Sequence, residues 1–236
     1  MLAGRPFVVT GGGGALGAAL VARLLDLGAL CHLPLRDARG LEHLPFVGHP
    51  ELRATTGIDV ADEGAVARYY AALPTLWASV HLAGFYAMAP ITGTTSEAFD
   101  QLLASNLRSA FLCSREAVRV MRARPAEGRQ GGRIVNVSAR AGLEPRTGAG
   151  QTAYTAAKAA VAAFSIALGE EVAKDGILVN AVAPSIIDTP ANRAAMPKAE
   201  WKAWAKPAEI AEAILFLASP ENRVARSGVI PVYGRG

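Results

Sequence analysis

Tyr154 and Lys158 stand four residues apart in an alanine-rich stretch that neither proline nor glycine interrupts before Gly169. At that spacing the two side chains share one face of a helix. Free tyrosine ionises near pH 10, too high for efficient proton exchange at neutral pH. An ammonium group one helical turn away favours the phenolate and makes such a tyrosine a candidate general acid or base. Upstream, Arg133-Ile134-Val135-Asn136-Val137-Ser138 is an apolar strand ending on a serine, and Asn106 lies in an amphipathic helical stretch before it.

A second group of residues suits an anion. Gly11 to Gly14 follow the apolar run Pro6 to Thr10 and precede the Ala/Leu-rich stretch containing Leu16 and Gly17. This reads as strand, tight turn and helix, so a pyrophosphate would meet bare backbone and the positive end of a helix. Four consecutive glycines cost conformational entropy that an ordinary loop has no need of, which supports a nucleotide site. In dinucleotide-binding folds the end of the second strand reads the adenosine ribose: an acid takes a free 2′-hydroxyl and an arginine accommodates a 2′-phosphate. Here that strand ends Leu35-Arg36-Asp37. Leu35 stands where the acid belongs, Arg36 follows and Asp37 comes one step late, so NADP(H) is expected ahead of NAD(H), with NAD(H) possible.

The elements that must position these residues follow from periodicity. Short apolar runs at 6–10, 30–35, 52–58, 77–82, 133–137, 177–182 and 229–233 predict seven strands, and the stretches between them predict helices, including 15–27, 152–174 and 207–218. Strands apolar on both faces and alternating with helices imply an α/β fold, a parallel, doubly wound sheet covered on each side. Residues 122–132, rich in Arg, Pro, Gly and Gln, read as a surface loop. The irregular segment 185–206 would overhang the carboxyl ends of the strands, where ligands bind in such folds, and is the candidate substrate lid.

Composition sets the outer limits. With 236 residues, 51% hydrophobic and 19% charged, the chain is expected to form one domain over 1–236 and not a disordered polymer. The formal charge of +4 comes from scattered arginines, so no nucleic-acid partner is expected. The uncharged stretch 69–96 contains Pro74, His81, Gly84 and Pro90, so no membrane span is expected there. Two distant cysteines, Cys31 and Cys113, give no disulfide framework and no metal site. With no signal-peptide pattern at the start of the chain, a cytoplasmic location is expected.

Taken together, the glycine turn, Asn106, Ser138 and the Tyr154/Lys158 pair resemble the short-chain dehydrogenase/reductase family over essentially the whole chain. The resemblance implies a Rossmann-type sheet binding NAD(P) and a catalytic tetrad carried onto Asn106, Ser138, Tyr154 and Lys158. In that reading Tyr154 is the acid, Lys158 also holds the nicotinamide ribose, Ser138 hydrogen-bonds the substrate oxygen and Asn106 positions a relay water. It also implies cofactor contacts from Gly11, Gly14, Leu16 and Gly17, from Asp59 and Val60 on the adenine side, and from Ala83 and Gly84. Pro184, Ile187 and Thr189 would lie by the nicotinamide.

The chain departs from the family pattern at several points. His81 and Leu82 replace an asparagine pair, His81 being expected as structural, while Ala15 replaces the second glycine and Ser185 a glycine. Gly14-Ala15-Leu16-Gly17 and the segment from Asp188 to Trp204 look like the dihydropteridine reductases, a branch of the family. Leu35 and Ser138 differ from that branch, which generally has an acid at the first position and no catalytic serine. Met196, Trp201 and Trp204 would close the substrate pocket or anchor the lid. The expected activity is hydride transfer between a nicotinamide and a carbonyl or alcohol. The alternatives are reduction of a quinonoid dihydropterin and a non-catalytic dinucleotide sensor, which would be expected to have lost the tyrosine or the lysine. A homotetramer is the first expectation for assembly and a dimer the second.

Overall fold

The computed structural model describes residues 2–42, 44–123 and 131–235. Seven strands form, where the apolar runs predict them: β1 Pro6–Thr10, β2 Leu30–Pro34, β3 Leu52–Thr55, β4 Ala78–His81, β5 Gly132–Val137, β6 Ile177–Pro184 and β7 Val229–Val232. All pair in parallel, in the order β3-β2-β1-β4-β5-β6-β7. The chain winds outward from β1 to β3 and returns beside β1 as β4. The loops leaving β1 and β4 therefore diverge and open the crevice that such sheets use for ligands. Of the loop expected at 122–132, residues 124–130 lie outside the described residues.

Alternation along β1 shows why the strands read as continuous apolar runs. Phe7 and Val9 pack with Leu20 and Leu24 of helix α1 (Ala15–Asp26) and with Ile210 and Ile214 of helix α8 (Pro207–Ala218). Val8 faces the other way, into a cluster with Tyr70 of α2 (Glu63–Ala71), Leu112 and Met121 of α4 (Ser109–Arg122), and Val179. Both faces of the sheet are covered, so each strand is buried on both sides. β3 stops at Thr55 instead of 58, because the chain turns at Gly57 (φ +79°) and the amides of Gly57 and Ile58 bond back to the end of β2.

Helix α6 (Thr152–Glu171) carries the tyrosine and lysine. Alanine, the strongest helix former, supplies much of it. By length and composition alone it could cross a membrane. Here Ala157, Lys158, Val161, Ala162 and Ser165 form a buried stripe, and the helix packs on β5 and β6 as part of the core. Between α3 (Ser96–Leu103) and α4 the backbone widens into a π turn, Ala104–Arg108, with Asn106 at its centre. Such turns are rare and mark functional positions disproportionately.

Candidate active site

Lys158 is 6% exposed, and its Nζ donates to the carbonyl of Val137 at 2.9 Å. No carboxylate pairs with it among the described residues. Burial alone pushes its ammonium down to about 8. Its Nζ lies 5.8 Å from the ring centroid of Tyr154. Tyr154 is half-buried, and desolvation, with Tyr86 adding to it, pushes its phenol up to about 12. Tyr86 meets the Tyr154 ring edge-on, centroids 5.0 Å apart. Burial thus drives each partner toward its neutral form, and a charged ligand arriving beside them changes the balance most.

Asn106 is also buried. Its Nδ2 donates to the carbonyls of Phe85 and Leu102, each at 3.0 Å, while its Oδ1 finds no partner. An unsatisfied buried acceptor of this kind calls for a water or a polar ligand. Gly84, at φ +156°, closes the gap: a Cβ there would run into Asn106 Oδ1 and stand 3.6 Å from Lys158 Nζ. Only glycine fits, and it brings the β4 loop, the π turn and α6 to one point.

Gly84 also lines a cavity of about 730 Å³, with Gly11, Gly14, Arg36, Asp59, Val60 and Ala83 among the other predicted contacts. The α1 N-terminus opens there with no side-chain cap and no acid in its first turn, leaving its free amides to an anion. Gly17 packs the turn instead, a Cβ there striking the Gly11 carbonyl, and Leu16 packs on the core. Arg36 has no ion-pair partner among the described residues. Asp37 pairs with Arg39 at 2.7 Å and caps the turn Ala38–Gly40, accepting from the Arg39 amide. A cavity lined by glycine backbone and an open helix end, with Arg36 and Asp37 at one side, fits a nicotinamide dinucleotide.

The segment after β6 is braced internally. Ile187 bridges Ala205, Thr189 caps the short helix α7 (Pro190–Ala195), and the Ile187 carbonyl accepts from Asn192 Nδ2. Arg193 pairs with Asp188 and lies 5.2 Å over Trp201, whose Nε1 donates to the Met196 carbonyl at 3.0 Å. Trp201 therefore anchors the segment to itself. Pro184, Ile187 and Thr189 stand outside the lining of the large cavity.

Ser138 is 1% exposed, and its Oγ donates to the Lys158 carbonyl at 2.7 Å. His81 is buried in a polar chain: Tyr70 OH to Ser79 Oγ at 2.8 Å, Ser79 to His81 Nε2 at 2.8 Å, and His81 Nδ1 to Asn136 Oδ1 at 2.7 Å. Asn136 Nδ2 then donates to Ser165 Oγ on α6. Sequence reasoning passed over Phe85, Gln101, Ala104 and Ser105, which line the cavity. The one usable signal was their place in the β4 loop and the helix before Asn106.

The fold and this site define a dinucleotide-dependent oxidoreductase of Rossmann type. A family model described as short chain dehydrogenase matches residues 6–200. The chain belongs to the short-chain dehydrogenase/reductase family. It is 32% identical to a cyclopentanol dehydrogenase of Comamonas testosteroni, over 96% of this chain and 94% of that one. It is also 32% identical to a 2-dehydro-3-deoxy-L-rhamnonate dehydrogenase (NAD(+)) of a Sphingomonas species, over 80% and 74%. A short-chain type dehydrogenase/reductase structure from Mycobacterium ulcerans superposes with a TM-score of 0.86 at 26% identity, covering 99% of this chain and 90% of that one.

Proposed function

We propose that the chain is an NADP(H)-preferring oxidoreductase interconverting a small carbonyl compound and its alcohol, with Tyr154 giving and taking the proton. The observation that carries this reading is the pairing of Tyr154 with a buried Lys158 that Gly84 links to the glycine-lined cavity. Arg36 would hold the 2′-phosphate, the 11–14 turn the pyrophosphate, Asp59 and Val60 the adenine side, Lys158 the nicotinamide ribose, and Ile187 and Thr189 the amide. When bound, the cofactor supplies the hydride and, oxidised, a positive ring. Tyr154 then protonates the carbonyl oxygen as charge develops on it, and Lys158 stabilises the phenolate left behind. The unpartnered Asn106 Oδ1 suits a water that returns the proton.

Asp37 also lines the cavity and pairs at the surface with Arg39, so the preference rests on Arg36, the cation beside it with no ion-pair partner among the described residues. The relatives' names make cyclic ketones such as cyclopentanone sensible first substrates. Reduction of a quinonoid dihydropterin is a second reading, favoured by the burial of the Ser138 hydroxyl, since the dihydropteridine branch works without that serine. The two cysteines are buried and free, which suits the cytoplasm we propose for it. The assembly we propose is a homotetramer. Parallel fluorescence titrations with NADPH and NADH test the reading: tighter NADPH and turnover of a cyclic ketone support it, tighter NADH with dihydropterin turnover supports the second, and binding of neither overturns both.

A further inference from the structure

The end of β5 grips Lys158 at both of its ends. Its Nζ donates to the carbonyl of Val137, and its own carbonyl accepts the proton of the next residue, Ser138. That hydroxyl is enclosed from the other side by α5 (Arg140–Leu143). A Cβ on Gly142 would stand 2.7 Å from Ser138 Oγ and 2.7 Å from the carbonyl carbon of Lys158. The oxygen is therefore sandwiched between two helices. A hydroxyl has one proton to donate, and here it goes to the backbone of α6. Ser138 lies one residue past β5 with its amide still bonded to the Val182 carbonyl of β6, so it points to the same side as Asn136, which reaches α6 through Ser165. The following residue, Ala139, is extended at φ −156° and carries no polar group.

We infer that Ser138 is a positioning residue that fixes Lys158, and that the substrate oxygen is left to Tyr154 as its hydroxyl donor. This rests on the Tyr154/Lys158 reading proposed above and changes the part Ser138 plays in it. With one hydroxyl in place of two, the site suits an acceptor whose own conjugation spreads the developing negative charge. Losing a single oxyanion donor otherwise slows acyl-transfer enzymes by about 10²- to 10³-fold.

The test reads cofactor binding, which needs no turnover. NADPH dissociation constants are measured by tryptophan fluorescence between about pH 6.5 and 9.5 for the wild type, Ser138→Ala, Lys158→Met and the double variant. If Ser138 acts through Lys158, Ser138→Ala weakens NADPH about three- to tenfold and moves the pH midpoint upward, as water reaches the loosened ammonium. The double variant then binds no more weakly than Lys158→Met alone. Wild-type affinity and midpoint in Ser138→Ala, or additive losses in the double variant, overturn the inference. So does a loss of kcat/KM of about 10² or more at unchanged NADPH affinity, which is the mark of a substrate donor. Should the alanine variant not fold, Ser138→Cys keeps the volume with a poorer donor and is read in the same titration. A wild type that binds no NADPH sinks the proposed function itself, a result separate from all of these.

Discussion

Replacing Tyr154 by phenylalanine removes one oxygen and leaves the ring that packs edge-on against Tyr86. The cofactor pocket keeps its lining, so NADPH affinity should stay within a few-fold while kcat falls by about 10²- to 10⁴-fold, the range for a lost general acid. Steady-state kinetics beside a binding titration separates the two, and unchanged turnover would remove Tyr154 from the mechanism. Arg36 makes a different kind of contribution. Its guanidinium lines the cavity without an ion-pair partner among the described residues, so Arg36→Ala should weaken NADPH about tenfold or more and NADH by less than about twofold. Equal losses for both would refute the 2′-phosphate role. Tyr154 and Lys158 were legible as a same-face helical pair and Arg36 as the residue after the second strand, but only the glycine turn, Asn106 and Ser138 around them made the pair read as a site. The direction of the Ser138 hydroxyl was not legible, since its bond to the Lys158 carbonyl depends on how α5 and α6 close over the end of the strand.

Between elements, the polar chain from Tyr70 to Ser165 joins α2, β4, β5 and α6 through buried side chains. Asn136 Nδ2 donates to Ser165, so its Oδ1 accepts from His81 Nδ1, and Nε2 is then the acceptor for Ser79. His81 must be neutral for every link to hold, and burial pushes it down to about 4 from an ordinary 6.5. The folded state therefore binds fewer protons than the unfolded chain between those two values. Stability should fall as pH drops from about 6.5 toward 4, by about 3 kcal/mol in total from this one group. Urea denaturation across that range checks it, and His81→Asn, which cannot titrate, should flatten the dependence; a slope unchanged by the substitution would remove His81 as its source. The strands themselves were readable because both their faces are buried. The π turn at Ala104–Arg108 was not, since no residue preference announces it and it is held by Asn106 bonding across to Phe85. The internal bracing of the segment after β6 by Asp188, Arg193 and Trp201 likewise depends on a fold-back that spacing does not reveal.

Across the whole molecule, apolar side chains are left uncovered on both sides of the sheet. Phe111 on α4, 44% exposed, packs against Phe164 of α6, with Ile166 of the same helix also 44% exposed. On the opposite side Phe216 of α8 is 54% exposed. Scattered exposed apolar residues need no explanation, but large ones on the outer faces of helices on both sides of the sheet suit association. Two separate self-complementary faces, each closing about its own two-fold axis, generate a tetramer of D2 symmetry, the form that usually follows the dimer in frequency. The proposed homotetramer therefore makes an ordered prediction for sedimentation velocity at micromolar concentration. The wild type should run as a tetramer, Ile166→Asp and Phe216→Asp should each run as a dimer, and the double variant should run as a monomer. Both side chains are exposed and neither lines the cavity, so the dimers should still bind NADPH. A wild type that sediments as a monomer would end the assembly proposal, and a tetramer that survives both substitutions would move its interfaces to other surfaces.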